Sequence, residues 1–193
     1  NIDLKQSAGS TTAFPRMRII IKKEIVHFGV DPELISARDA GTHISPIKVH
    51  VLLQQKPSSL VILDARNAYE SRIGAFTDAI KPLINTFREL PQWIDDHIDQ
   101  FKNKQVLMYC TGGIRCERAS AYLKKKNIAK EVMQLEGGIV RYVEQFPNGF
   151  FRGKNYVFDG RIATTITADI LTSCDICQII YDEYVNCVNV TCN

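Results

Sequence analysis

None of these 193 residues belongs to an apolar run approaching the roughly 18 residues of a membrane-spanning helix, so a helical membrane protein is excluded. The start, Asn1-Ile2-Asp3-Leu4, shows no basic region followed by an apolar one, so no secretory leader is expected. It also lacks Met, and the expectation is a fragment of something longer. Two nucleotide-binding signatures are missing: there is no Gly-x-Gly-x-x-Gly and no P-loop. The four histidines, His27, His43, His50 and His97, make no His-x-Asp/Glu pair of the kind found in non-haem iron triads. Charge of one sign is in short supply as well. A net charge of +3 permits a nucleic-acid partner without demanding one.

What is present is ordinary globular material, 45% hydrophobic and 23% charged, in a chain long enough to bury a sizeable core. The six cysteines are unevenly placed: Cys110 and Cys116, then four in the last twenty residues. That distribution does not resemble a small disulfide-stapled domain, so reduced thiols and a cytoplasmic location are expected. The sequon Asn189-Val190-Thr191 then reads as a chance match.

Residues 1–15 are polar and read as a tail or the end of an upstream domain. Arg16 to Val26 (RMRIIIKKEIV) is β-rich and basic, which predicts a strand, and Gly29 to Gly41 reads as loop. Ser45-Pro46 is a helix start, with Ser as N-cap and Pro at the first helical position; the helix ends near Pro57. Leu60-Val61-Ile62-Leu63 and Val106-Leu107-Met108-Tyr109 are short, wholly apolar runs, as in strands buried on both faces. Leu90, Trp93, Ile94, Ile98 and Phe101 predict one amphipathic helix over Glu89 to Phe101. A further helix is expected from Cys116 to Lys126, a strand from Glu131 to Leu135, and a helix from the Gly137-Gly138 turn to near Phe146. Tyr156 to Thr167 adds a candidate strand. Short apolar strands alternating with helices predict an α/β fold around a parallel sheet.

The most informative stretch is Tyr109-Cys110-Thr111-Gly112-Gly113-Ile114-Arg115-Cys116. A buried strand ends, a cysteine follows at once, and two glycines let the backbone curl before a helix begins. Active sites of open α/β sheets lie beyond the carboxyl ends of strands. A loop curled over Thr111, Gly112, Gly113 and Ile114 would aim its amides at the Cys110 sulfur. The helix N-terminus and Arg115 add positive charge. All three favour thiolate, which makes Cys110 a candidate nucleophile with a lowered pKa. Cys116 reads either as a resolving thiol for Cys110 or as an ordinary residue of the first helical turn.

Cys110, four intervening residues and Arg115 resemble the active-site loop of the rhodanese superfamily. Related phosphatases have five intervening residues, because phosphate is bulkier than one sulfur atom. Asp64-Ala65-Arg66 with Glu70 and Gly74, and Leu135-Glu136-Gly137-Gly138, resemble two further elements of that superfamily; Ala75-Phe76 departs from the His-Ile of many members. The resemblance implies a rhodanese-like three-layer domain over 42–150, preceded by a linker segment over 1–41 and followed by a C-terminal extension over 151–193. Asp64, Arg66 and Glu70 are expected to form a buried ion network bracing the loop.

A narrower likeness rests on Cys-Thr-Gly-Gly-Ile-Arg-Cys-Glu (110–117) and on Arg118-Ala119-Ser120-Ala121-Tyr122-Leu123. These are similar to the rhodanese-containing tRNA uridine hydroxylases of bacteria. Phe14-Pro15-Arg16, Lys22-Lys23-Glu24-Ile25-Val26 and Gly153-Lys154…Val157-Phe158-Asp159 extend it, while Gly160 stands where members usually carry an acidic residue. The likeness implies oxygen-dependent 5-hydroxylation of the wobble uridine, with the anticodon region of tRNA as partner and Cys110 and Arg115 as catalytic residues. The rival readings are a sulfurtransferase that takes sulfur from a small-molecule donor through a Cys110 persulfide, and an RNA- or protein-binding module.

Cys174-x-x-Cys177 followed by Cys187 and Cys192 is a zinc-ligand pattern, and a structural Zn²⁺ is expected there; a redox dithiol and unliganded thiols are the alternatives. Basic clusters lie at Lys124-Lys125-Lys126 with Lys130, and at Arg16, Arg18, Lys22 and Lys23. A tRNA partner needs them on the face of the Cys110 loop. Tyr142, Phe146, Phe150, Phe151, Tyr156 and Phe158 are candidates either for core packing or for stacking on an unpaired base.

Overall fold

The structure is a computed structural model that describes Arg16, residues 19–159 and residues 161–184. Its elements run β1 (Thr42–Ile44), α1 (Pro46–Gln55), β2 (Leu60–Asp64), α2 (Ala68–Ile73), β3 (Gly74–Phe76), α3 (Leu90–Asp96), β4 (Gln105–Tyr109), α4 (Ile114–Lys126), β5 (Glu131–Leu135), α5 (Gly138–Gln145), β6 (Phe151–Tyr156) and β7 (Ala163–Thr165). Four of the strands make a parallel sheet in the order β1-β5-β4-β2, and β3, β6 and β7 make a smaller antiparallel one.

The apolar runs are buried on both faces of the parallel sheet, and the side-chain alternation of each strand divides them between two cores. Leu63, Val106, Met108 and Val132 face one core with Leu90 and Ile94 of α3 and Ala119 and Leu123 of α4. Ile62, Leu107, Tyr109, Met133 and Leu135 face the other, with Val49 and Leu53 of α1 and Ile139 and Tyr142 of α5. The result is a three-layer α/β/α sandwich, as the alternation of elements predicts. Ser45 caps α1 with Pro46 at the first helical position. β5 occupies the predicted residues. At Gly74 β6 crosses so closely that a Cβ would stand 2.1 Å from the Lys154 carbonyl oxygen, so the antiparallel pairing of β3 with β6 requires glycine.

Three expectations are corrected. No strand forms among the described residues of Arg16 to Val26; Ile19, Ile20, Ile21 and Ile25 are exposed instead. β propensity reflects packing on a pleated surface, and this segment is given none. Glu89 to Phe101 is not one helix: α3 is followed by a separate 3-10 turn, Ile98–Phe101. His97 leaves helical geometry at φ −117°, with its Nδ1 2.8 Å from the Trp93 carbonyl and its ring stacked on Trp93. And α4 begins at Ile114, two residues before the expected Cys116, because Gly113 takes the left-handed conformation that opens the helix. The short strands β1, β3 and β6 were not read from the sequence. Three-residue strands carry too little alternation, and β6 mixes Arg152, Lys154 and Asn155 with its apolar residues.

Candidate active site

Cys110 follows β4 directly, at the carboxyl edge of the parallel sheet. Gly113 adopts φ +92°, which turns the chain so that its amide donates to the Cys110 sulfur at 3.2 Å. The Cys116 amide, in the first turn of α4, donates to the Gly113 carbonyl at 3.1 Å, and the amides of Arg115 and Cys116 add positive field at the sulfur. The loop carbonyls face the other way. The oxygen of Cys110 accepts from the Ile139 amide at 3.0 Å and that of Thr111 from the Val140 amide at 3.1 Å. The N-terminus of α5 thus holds the loop inside out, and Gly138 permits the approach. At φ +64°, a Cβ there would lie 2.4 Å from the Cys110 oxygen and 2.6 Å from the Thr111 oxygen.

The Cys110 thiol is pulled down to about 6. The largest cause is a hydrogen bond from the Cys116 thiol; burial opposes ionisation, and the Arg115 charge and the two amides favour it. Cys116 moves the opposite way. Burial, then its bond to Cys110 and the charge there, hold it well above the usual thiol range. Both cysteines are unbridged and buried.

Around the loop stand two buried ion pairs rather than one common network. Arg115 makes a bidentate pair with Glu70, at 2.5 and 2.6 Å, and its Nη2 lies 3.4 Å from the Thr111 hydroxyl. Burial works against the charge on Arg115, and the Glu70 carboxylate more than offsets it, so its pKa is raised. Arg66 clamps Asp64 at 2.9 and 2.6 Å and donates to the Gly74 carbonyl at 2.6 Å. The Tyr109 hydroxyl donates to Asp64 at 2.7 Å. Asp64, Arg66 and Glu70 do not form the single network expected: Glu70 turns to the loop arginine instead, and Tyr109, within an apolar strand, bonds Asp64.

Cys110 itself is 2% exposed, but it forms part of the floor of a pocket of about 590 Å³. Thr111, Gly112, Ile114 and Arg115 line it together with Asn67, Thr86, Arg88, His27, Ile25, Val26 and Phe158. Asn67, Thr86 and Arg88 carry no functional signal in the sequence, and His27 enters it only as a histidine without iron-ligand spacing; separate segments bring them together only in the fold.

The basic clusters divide. Lys124, Lys125 and Lys126 end α4, which starts at the loop, so about 15–18 Å of helix separates them from it. Their ammonium groups reach the Ala40 carbonyl, the Leu34 carbonyl and Asp95. They do not share the face of Cys110. Lys23 lies nearer. It lines a neighbouring groove that shares Ile25, Val26 and Ile114 with the pocket. Arg18 lies outside the described residues.

In the C-terminal segment, the amides of Cys177 and Ile176 and the Cys177 thiol point at the Cys174 sulfur and lower its pKa. The Cys174 carbonyl accepts from Gln178 at 2.9 Å. That is a thiolate-stabilising turn suited to a metal ligand. Cys187 and Cys192 lie outside the described residues, as does Gly160.

A strand-end cysteine in a cradle of amides, beneath an arginine and between the layers of an α/β/α sandwich, defines a rhodanese-type site. The chain belongs to the rhodanese-like domain family: the family model described as Rhodanese-like domain matches residues 46–145, and a second, Rhodanase C-terminal, matches residues 152–193. It is 43% identical to Rhodanese-like domain-containing protein 6 of Arabidopsis thaliana, over 94% of this chain and 34% of that protein. It is 38% identical to the tRNA uridine(34) hydroxylase of Buchnera aphidicola, over 100% of this chain and 62% of that one. With the Chlamydia abortus protein of the same name the figures are 39%, 100% and 60%. The chain thus spans less than two thirds of the length of these relatives. Among solved structures, a protein of unknown function from Rhodopseudomonas palustris shares the fold at TM-score 0.50 and 22% identity, over 67% of this chain and 96% of that one.

Proposed function

We propose that this chain carries the catalytic centre of a tRNA-modifying enzyme that hydroxylates uridine 34 in the anticodon in an oxygen-dependent reaction, with Cys110 and Arg115 as catalytic residues. The reading draws on the activity for which the bacterial relatives are named, and one observation carries it: the Cys110 sulfur, with the Gly113 amide donating to it, lines a pocket of about 590 Å³. A volume of that order suits a nucleoside, while a donor as small as thiosulfate would leave most of it empty. In this reading Arg115 holds negative charge beside the sulfur, and Glu70, Arg66 and Asp64 keep Arg115 and the loop in place. The test is nucleoside mass spectrometry of tRNA from cells lacking the gene. The 5-hydroxyuridine should vanish, return with the unmodified gene and stay absent with Cys110→Ala. Unchanged nucleoside levels in the deletion strain would remove the reading.

The loop itself favours a second reading. Its four intervening residues are one fewer than in the related phosphatases, a spacing that suits a single sulfur atom rather than a phosphate. In sulfur transfer the Cys110 thiolate attacks the outer sulfur of thiosulfate, the S–S bond breaks, sulfite leaves with the bonding pair, and a persulfide anion remains in the cradle. Intact-mass analysis after thiosulfate treatment should then show one added sulfur, absent in Cys110→Ala.

For the tail we propose a structural zinc held by Cys174, Cys177, Cys187 and Cys192. Metal analysis of the purified chain should give one zinc per chain, lost in Cys174→Ser with Cys177→Ser. A zinc-free protein would refute it.

A further inference from the structure

Six aromatic side chains lie between the second glycine pair and Asp159, and the fold disposes of five. Tyr142 and Phe151 are buried in the second core, Phe146 and Phe150 pack against it, and Tyr156 is half-buried with its ring edge-on to Tyr69. Phe158 is the exception. It is 61% exposed, yet it lines the pocket above Cys110. Burying a phenylalanine is ordinarily worth about 1.5–3 kcal/mol, and here a large ring is left in water at the mouth of the site.

The ring is also held in position. Its neighbour Tyr156 meets it edge-on, with centroids 5.3 Å apart, and the Arg115 guanidinium carbon lies 5.6 Å from its centre. Nearby, the Val157 amide donates to the Ile162 carbonyl at 2.9 Å and the Ile162 amide to the Asp159 carbonyl at 3.0 Å. Upstream, β6 is locked to β3, and the Tyr156 carbonyl lies 3.5 Å from the Thr111 hydroxyl of the active loop. The ring thereby contacts Arg115 and, through Tyr156, is linked to the active loop. Asn67, Thr86, Arg88 and His27, on other sides of the pocket, supply hydrogen-bonding groups and positive charge.

We propose that Phe158 is the stacking platform for the unpaired pyrimidine presented to Cys110. This rests on the tRNA reading and deepens it by assigning the residue that receives the base. A flat ring, an apolar wall and a cationic rim match an extruded base with its attached phosphate. A small sulfur-bearing anion gains nothing from such a ring. Because the ring is largely exposed, its replacement leaves both cores untouched.

The experiment uses the full chain and an anticodon stem-loop RNA carrying 5-iodouridine in place of uridine 34. Irradiation should cross-link the base to the peptide containing Phe158. Phe158→Ala and Phe158→Leu should weaken binding of the unmodified stem-loop by about 5- to 150-fold, the usual range for losing one base–aromatic stack. The salt dependence of the affinity should not change, since no phosphate contact is removed, and Phe158→Trp should restore binding. Phe158→Leu keeps an apolar side chain of similar size, so normal affinity in that variant overturns the platform. A cross-link located elsewhere does the same. If either result comes with Cys110-dependent hydroxylation, only the platform falls. If the chain does not bind the RNA, or Cys110→Ala restores 5-hydroxyuridine in the deletion strain, the tRNA reading falls with it. If Phe158→Leu instead abolishes binding of an apolar peptide and not of RNA, the ring serves a protein partner and the proposal is overturned.

Discussion

The acidity of Cys110 depends first on Cys116, in the first turn of the helix that follows the loop. Removing the Cys116 thiol takes out the largest favourable contribution, so in Cys116→Ala the Cys110 midpoint should rise from about 6 toward the ordinary thiol value. The measurement is the rate of iodoacetamide labelling of Cys110 against pH. In the unmodified protein the rate should be flat above pH 7 and fall to about a tenth of its plateau near pH 5, following the thiolate fraction. A midpoint left in place by Cys116→Ala would mean that the amides and Arg115 suffice. The stability sign follows from the same shift. A thiol whose pKa is depressed on folding stabilises the native state fully above its unfolded value, and that contribution is lost as pH falls through about 6. Glu70 supports a different prediction. It is fully buried and is paired with Arg115, so Glu70→Ala strands a buried guanidinium and should cost about 3–5 kcal/mol in urea denaturation.

Among the elements, the junction of β4, α4 and α5 decides which backbone groups face the sulfur. Two glycines there have different reasons, and substitution separates them. Gly113 needs its left-handed φ, but a Cβ would meet nothing closer than 3.5 Å. Gly113→Ala should therefore cost about 1–2 kcal/mol, from backbone conformation alone. Gly138 has positive φ and a Cβ position overlapping the oxygens of Cys110 and Thr111. Gly138→Ala should cost more, about 3 kcal/mol or above, because one element must move off another. Thermal unfolding of the two variants reads the difference; equal losses would show that α5 does not brace the loop. The element expected over Arg16 to Val26 went wrong for a reason on the same scale. Its isoleucines favour a strand, but a strand needs a neighbouring strand; this stretch is tied down by Arg118 instead, whose guanidinium donates to Glu24 at 2.8 Å and to the Val30 carbonyl at 2.7 Å.

Across the whole molecule, the charges are sorted by the ends of the sheet. The loop, Arg88 and Phe158 gather at the carboxyl end, and Lys124 to Lys126 lie at the far end of α4. Neutralising Arg88 as Arg88→Gln should weaken anticodon stem-loop binding and reduce the slope of log affinity against log salt by about 1. Lys124→Gln with Lys125→Gln should leave both nearly unchanged. A large loss from the lysine pair, with none from Arg88, would put the RNA on the opposite face.

The sequence by itself determined the α/β class, the buried strands β2, β4 and β5, the cap of α1, and the cysteine at a strand end before glycines and a helix. These depend on local properties: the period of apolar residues, the φ of glycine, and the missing amide of proline. Only the tertiary structure decided that Glu70 pairs with Arg115, that Tyr109 bonds Asp64 from within an apolar strand, and that β6 passes close enough to require Gly74. It also decided which one of six aromatic rings stays out of the core. Such pairings join residues tens of positions apart, and no local pattern records them; they exist once the layers pack and each buried polar group takes whichever partner lies within reach.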